Sequence, residues 1–404
     1  MGRKLLLFFT YLYALFFSIA KTLRLPNKWS ESHWMMDYRF GFVKRGLGGE
    51  IFGWFFRKDE FSILILSAGI LLLLYIAIIG IAVKETLKRG KNINTLLFFV
   101  VFLLSQYIIF SAHLIGYLEH VVFLLTLPVV YLIRSKKYFL ASLIAVFSIF
   151  IHEISLFLML PVSTFALLVF ESPDPPFTFG NMFSGGMIKK ILAFSGLPVL
   201  TVVGLSLFHE QEGSNYVLTV FNYLKSIPFI PENVARSVTS AYTQSFSLSF
   251  QEQRSHFFQR VFISKATVFY GIPILFLLWM IFKEFRLKRN IRLFILLAAV
   301  ASIPLLMHSI AYDTYRIWTF PFMILFLGFW VLSLKFKFNR AEADTLSVPE
   351  ILFFMVSFLL VAVSPNILFD EETERFSLPV KLMLALPVFL MLYILKKPQS
   401  KSDE

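Results

Sequence analysis

The chain of 404 residues is 57% apolar and 18% aromatic, whereas only 16% of its residues are charged. A water-soluble domain of ordinary composition carries about 25% charged residues, so this composition excludes that class. The chain contains no cysteine, which excludes disulfide bonds and thiolate metal sites. It also lacks a Walker-type phosphate loop, and this disfavours transport driven by ATP hydrolysis in this chain.

Apolar segments long enough to approach the width of a bilayer recur along the whole chain. The first lacks a small-x-small cleavage site, so we expect a membrane helix rather than a signal peptide. The sequence predicts an all-α polytopic transmembrane bundle of about twelve spans, which forms one integral membrane domain over residues 1–404. The predicted spans are 5–22, 62–83, 94–111, 120–133, 138–151, 154–170, 191–208, 266–282, 293–308, 317–334, 350–366 and 379–395. One long kinked segment around His152 is the alternative for the fifth and sixth spans.

The distribution of basic residues predicts the orientation of the bundle. If the N-terminus lies in the cytoplasm, the entire net charge of +13 falls on the cytoplasmic side, as the positive-inside rule requires. We therefore expect both termini in the cytoplasm and a location in the bacterial inner (plasma) membrane. Because the positive-inside rule accounts for the excess of basic residues, that excess does not indicate nucleic-acid binding.

Two long segments fall on the extracytoplasmic side in this topology: residues 21–61 and residues 209–264. Both mix aromatic residues with charged and polar ones, a pattern typical of short helices that lie in the membrane interface. We therefore predict interfacial helices in both extracytoplasmic loops, in contact with membrane lipids.

The first of these loops contains the most informative stretch, residues 36–50. Asp37 is a candidate general base, and Arg39, Lys44 and Arg45 can pair with phosphate groups. Basic residues are disfavoured in extracytoplasmic loops, so their presence here favours a substrate site. The alternative is a turn whose cations contact lipid phosphates.

Two acid–histidine pairs, Glu119–His120 and His152–Glu153, lie at the extracytoplasmic ends of predicted spans. Glu153 could activate a hydroxyl group or position a divalent cation, and His152 could transfer a proton at neutral pH. The alternative is that these side chains only form hydrogen bonds at the interface. The sequence thus identifies no cofactor, and it leaves open whether a divalent cation binds.

A further acid and guanidinium, Asp313 and Arg316, lie just before the tenth predicted span. Arg316 could bind a phosphate or pyrophosphate with two hydrogen bonds, or it could pair with Asp313 and stabilise the loop. Additional anion-binding capacity in the later loop comes from Arg236, Arg254 and Arg260.

This layout resembles the GT-C class of membrane glycosyltransferases, and O-antigen polymerases look similar at this level. The resemblance lies in a first outer loop with interfacial helices and an acidic residue, a later long outer loop, and many spans. In that class the first-loop acid activates the acceptor, which implies Asp37 as the base. The implied partners are a polyprenyl-phosphate-linked sugar donor and a glycan acceptor, in cell-envelope polysaccharide biosynthesis.

Two other functions remain open from the sequence: a flippase or exporter of lipid-linked sugar, and a non-catalytic membrane assembly component. No predicted span carries a charged residue near its middle, where carriers of charged substrates commonly place one. We therefore expect a glycosyltransferase, with catalytic Asp37, His152 and Glu153. The expected substrate-binding residues are Arg39, Lys44, Arg45, Glu119, His120, Asp313 and Arg316.

Overall fold

The computed structural model describes residues 2–22, 26–41, 44–172, 180, 184–209, 214–336, 346–363 and 375–396. Helices form all the regular secondary structure of these ranges, which confirms the predicted all-α class. Eight of these helical stretches are long and apolar enough to cross a bilayer, which is compatible with an integral membrane protein. They are Gly2–Lys21, Glu60–Lys88, Glu153–Glu171, Gly185–Leu207, Lys265–Glu284, Leu287–Ser309, Thr314–Lys335 and Leu378–Lys396.

The other four predicted spans overlap shorter helices. Three are the apolar helices Ile93–Ile109, Tyr138–Ile151 and Val348–Ala362, and the fourth is the 16-residue helix Glu119–Arg134. A helix rises about 1.5 Å per residue, so 16 residues fall short of a hydrocarbon core of about 30 Å. Each predicted span therefore overlaps a helix, although residues 364–366 of the eleventh span lie outside the described residues, and twelve membrane crossings stay a prediction.

In chain order the α-helices are α1 (Gly2–Thr22), α2 (Lys28–His33), α3 (Gly46–Phe55), α4 (Glu60–Lys88), α5 (Ile93–Leu103), α6 (Gln106–Ile109), α7 (Glu119–Arg134), α8 (Tyr138–Ile151), α9 (Met159–Glu171), α10 (Gly185–His209), α11 (Ser214–Lys225), α12 (Glu232–Thr243), α13 (Phe246–Gln253), α14 (Lys265–Phe269), α15 (Gly271–Glu284), α16 (Ile291–Ser302), α17 (Thr314–Ile317), α18 (Phe320–Lys335), α19 (Val348–Ala362) and α20 (Leu378–Lys396). Short 3-10 turns cover Tyr38–Phe40, Ile115–Tyr117, Glu153–Leu156, Arg254–His256, Leu287–Asn290 and Ile303–Ser309, and a π-helical turn covers Gln259–Ile263.

Helix α18 is the most enclosed of the long helices, and aromatic rings surround it. The ring of Phe329 lies 4.5 Å from that of Phe98, and the ring of Phe326 lies 4.5 Å from that of Phe102. Buried aromatic side chains contribute large apolar areas, and ring pairs at such distances add about 0.5–1.5 kcal/mol each. The centre of the bundle is therefore packed with side chains.

A charged cluster closes the bundle at the C-terminal ends of α4, α15 and α18. Arg89 is 2% exposed, donates from Nη1 to Oε1 of Glu284 at 2.9 Å, and lies 4.2 Å from the ring centre of Phe285. Ser333 accepts from Arg89 Nε at 3.3 Å and donates to Glu85. These contacts connect three helices that are far apart in the sequence.

Helices from the two long loops pack on each other and form a second hydrophobic core, separate from that of the bundle. We call α2, α3, α11, α12 and α13, with their connections, the loop layer. Its buried centre contains Trp34, Met36, Phe52, Val220, Leu224, Val234, Val238 and Tyr242. Short helices occur in residues 21–61 and 209–264, while the predicted interfacial helices of two extracytoplasmic loops stay a prediction.

Candidate functional site

A cavity of about 710 Å³ lies where the loop layer meets the bundle. Ten catalytic and substrate-binding residues are predicted from the sequence, and six of them line this cavity, although they come from three separate parts of the chain. They are Lys44, Arg45, His152, Glu153, Asp313 and Arg316.

Arg45 joins the loop layer to the bundle through Glu153. Its Nε donates to both carboxylate oxygens of Glu153, at 2.8 and 2.9 Å, and its Nη2 donates to Oε1. Arg45 precedes α3 with φ of 61°, a left-handed conformation that is uncommon for a residue with a β-carbon. Such backbone strain is characteristic of functional sites. The Glu153 side chain remains 30% exposed, so a ligand in the cavity can reach its carboxylate.

Arg316 is held by two carboxylates and an aromatic ring. Its Nε donates to Glu119, its Nη1 donates to Oδ2 of Asp313 at 2.7 Å, and its guanidinium carbon lies 4.0 Å from the ring centre of Tyr117. A guanidinium stacked on a ring and paired on two sides has little rotational freedom. Glu119 is 1% exposed, so it acts on a cavity ligand through Arg316 rather than by contact.

Lys44 connects the first long loop to the second. Its Nζ donates to the main-chain oxygen of Gln244, at the end of α12, at 2.8 Å. Burial lowers the pKa of Lys44 to about 8, because removing an amine from water disfavours its charged form. The charge of this cavity cation therefore titrates close to neutral pH.

The main chain fixes the tautomer of His152. Its Nδ1 accepts the N–H of Ile154 at 3.0 Å, so in the neutral ring the proton lies on Nε2. Burial lowers the pKa of His152, and this keeps the ring neutral near pH 7. The geometry thus makes His152 a hydrogen-bond donor at Nε2, and the predicted proton transfer by this residue stays a prediction.

Asp37 and Arg39 do not line the cavity. Oδ1 of Asp37 accepts from the main-chain N–H and Nε of Arg39 at 3.0 and 2.8 Å, and Oδ2 accepts from Arg39 Nη2 and from Lys58. Burial alone raises the pKa of Asp37, but these hydrogen bonds outweigh it and hold the pKa below its usual value. Arg39 also stacks 4.7 Å from the ring centre of Tyr223. The Asp37 group therefore joins the two long loops to each other.

His120, the last of the ten predicted residues, is also absent from the cavity lining. It is 4% exposed, and its ring lies 5.3 Å from that of Tyr107 inside the bundle. Of the acid–histidine pair, Glu119 therefore holds Arg316, whereas His120 packs inside the bundle.

Arg260 has a role that the sequence did not reveal. It donates from Nη1 to the main-chain oxygens of Ala311 and His308, at 3.0 and 3.3 Å, and from Nη2 to Oε1 of Gln253 at 2.8 Å. It lies on the single π-helical turn of the described chain, a feature frequent near functional sites. Arg260 therefore positions the segment before Asp313. No local signal predicts this, because its main-chain partners are about fifty residues away.

Two further residues that line the cavity, His33 and Tyr117, are not among those predicted from the sequence. Nδ1 of His33 lies 3.0 Å from the hydroxyl of Tyr242, which belongs to α12. The ring of Tyr117 lies 4.7 Å from that of His33 and also carries Arg316. The residues next to His33 give no signal that sets it apart from other histidines of the chain, so only its tertiary contacts with Tyr242 and Tyr117 distinguish it.

The cavity has three chemically different walls. The charged wall consists of the six residues above. The neutral wall, from α12 and α13, carries Ser237, Ser240, Gln244, Ser249 and Gln253. The apolar wall comes from the long helices and their ends and carries Leu156, Phe157, Val202, Leu205, Ile310 and Ile317.

Among the residues that the structure describes, no group of three or more His, Cys, Asp or Glu side chains could hold a metal ion. No known protein family, curated protein or solved structure matches this chain. Function is therefore inferred from the cavity itself.

Proposed function

We propose that this chain is a membrane glycosyltransferase that uses a polyprenyl-phosphate-linked sugar at the extracytoplasmic face, in cell-envelope glycan assembly. The observation that carries the proposal is one cavity in which a wall of positioned cations adjoins a wall of apolar side chains from membrane-length helices. A lipid-linked phosphate needs both surfaces, because its chain favours hydrocarbon and its head group favours cations.

In the proposed reaction, an acceptor hydroxyl oxygen attacks the anomeric carbon of the donor sugar. The bond from that carbon to the phosphate oxygen breaks, and the electron pair leaves with the lipid phosphate. Lys44, Arg45 and Arg316 stabilise the negative charge that develops there, and His152 assists by holding its place beside Glu153 in the cavity lining. Glu153 accepts the proton of the attacking hydroxyl.

We assign the base to Glu153 because this residue lines the cavity and its side chain is 30% exposed. The resemblance to GT-C enzymes implies Asp37 instead, and that role stays a prediction. Both carboxylates accept hydrogen bonds from cationic side chains, Glu153 from Arg45 and Asp37 from Arg39 and Lys58, but Asp37 is 5% exposed and does not line the cavity. A base must reach the proton that it removes, which favours Glu153.

Transport of a lipid-linked sugar is less well supported. A carrier with alternating access needs a path through the middle of the bundle. In the described residues that region is occupied by α18 and the stacked rings of Phe98, Phe102, Phe326 and Phe329.

The test is a strain from which the gene is deleted and which is complemented with single variants. We expect the deletion strain to lack one envelope glycan and to accumulate its lipid-linked sugar, measured by mass spectrometry. Glu153→Gln should reproduce both changes, because an amide cannot take up the proton. Glu232→Gln is the matched control, since Glu232 is exposed on α12 and does not line the cavity.

Equal amounts of each variant in the membrane fraction, with unchanged gel-filtration profiles, separate loss of chemistry from loss of folding. A normal glycan in the Glu153→Gln strain would rule out Glu153 as the base. If Asp37→Asn alone abolished the product in a folded protein, the base would be Asp37.

A further inference from the structure

Helices α12 and α13 present a row of uncharged hydrogen-bonding groups to the cavity. Ser237 and Ser240 come from α12, Gln244 follows it, and Ser249 and Gln253 come from α13. Hydroxyl and amide groups both donate and accept, so they match the hydroxyl groups of a sugar, which also do both. This wall is opposite in chemistry to the charged wall that we assign to the phosphate.

Neighbouring groups fix the amides of this wall in orientation. Gln253 Oε1 accepts from Arg260 at 2.8 Å, which leaves its amide N–H groups as donors. Gln244 Nε2 donates to Glu252 at 2.8 Å, and Ser240 donates to Gln244 Oε1 at 3.2 Å. Polar groups that are already oriented lose little conformational entropy when a ligand binds.

Two exposed aromatic rings accompany the wall. Phe246 is 53% exposed and Tyr312 is 71% exposed, and both line the cavity. Arg260 lies 5.1 Å from the ring centre of Tyr312 and supports it from one side. Exposed rings beside hydrogen-bonding groups suit a sugar, because a sugar ring has apolar C–H faces and a polar rim.

One acidic residue of the cavity lining lies beside these uncharged groups. Glu252 is the one ionisable residue that α12 and α13, described in full, contribute to the cavity lining. A carboxylate on a ligand held by these groups would lie near the carboxylate of Glu252. The basic residue of α12, Arg236, does not line the cavity, and the cations that touch this wall, Lys44 and Arg260, already donate to Gln244 and Gln253. An uncharged sugar meets no such repulsion.

We infer that this wall is the acceptor subsite and that it takes an uncharged glycan, with Glu252 disfavouring glycans that contain acidic sugars. The inference rests on the proposed function and names the class of acceptor. It also assigns Phe246 and Gln253 as the residues that hold the acceptor sugar.

The test measures binding of the detergent-solubilised full chain to an array of neutral oligosaccharides and oligosaccharides that contain uronic acids. We expect neutral glycans to bind about fivefold more tightly than uronic-acid glycans of the same length. Phe246→Ala and Gln253→Ala should each weaken it about tenfold, because each removes one contact of about 1.4 kcal/mol. Glu252→Gln should strengthen binding of uronic-acid glycans about fivefold, the change expected from one exposed charge pair, and leave neutral glycans unchanged. The matched control, Glu232→Gln, should change neither.

Several results would overturn the subsite: preference for acidic glycans, binding that is insensitive to Phe246 and Gln253, binding to no glycan, or an unchanged profile for Glu252→Gln. These outcomes are separate from failure of the proposed function. If the purified chain binds neutral glycans but the Glu153→Gln strain still makes its envelope glycan, the acceptor subsite stands and Glu153 is not the base. If the Glu153→Gln strain loses its envelope glycan but the purified chain shows no glycan preference, glycosyl transfer stands and the acceptor subsite is wrong.

Discussion

The loop layer and the bundle both bury arginine, but the surroundings of the two arginines differ. Arg89, in the bundle, is enclosed by Glu284, Ser333 and the rings of Phe285 and Phe329. Arg316, below the loop layer, is also paired with carboxylates, yet one side of it lines the cavity. A buried ion pair therefore indicates a ligand-binding role only where a ligand can reach it.

The largest expected effect is on the bundle. Arg89→Met should lower the free energy of unfolding by about 3–5 kcal/mol, because it leaves the buried carboxylate of Glu284 without its arginine. Thermal unfolding in detergent, followed by tryptophan fluorescence, measures this. The double variant Arg89→Met/Glu284→Met should recover most of the loss, since apolar side chains then replace both charges. Equal instability of the single and double variants would contradict this account.

An intermediate effect is expected at the contact between α2 and the turn Ile115–Tyr117. A β-carbon on Gly116 would lie 2.0 Å from the main-chain oxygen of Ser30, so Gly116→Ala must displace α2. We expect a loss of about 1–3 kcal/mol, and faster proteolysis of the loop layer than of the bundle. Gly69→Ala is the matched control, because a β-carbon there meets nothing within 4 Å, and it should stabilise α4 by about 0.5–1 kcal/mol. Uniform proteolysis of both regions in Gly116→Ala would show that they do not respond separately.

The smallest expected effect concerns the charge of Lys44. As pH rises through about 8, Lys44 loses its proton, so affinity for inorganic pyrophosphate, measured by calorimetry, should fall up to about tenfold. Folding stability should change in the opposite direction. Between about 8 and the ordinary value of 10.5 the unfolded state binds more protons, and stability therefore rises with pH. Lys44→Arg should remove the fall in affinity, whereas an unchanged pH profile in that variant would exclude Lys44 as its cause.

Local sequence patterns predicted most of the secondary structure. Continuous apolar runs placed twelve helices, because helix formation and bilayer compatibility depend on neighbouring residues. The same patterns placed short helices in residues 21–61 and 209–264. They did not determine how many helices cross the membrane, since four of the helices are short and rely on their neighbours.

The sequence by itself also identified the chemistry of the cavity, because charged residues in an apolar chain stand out. It could not tell that Glu153 lines the cavity and that Asp37 does not, since both are acidic residues of predicted outer segments and both pair with cations. Only the tertiary structure decided this, and it also revealed the roles of His33 and Arg260. The physical reason is separation along the chain: the partners of these residues lie up to about two hundred positions away, and no local pattern records such contacts.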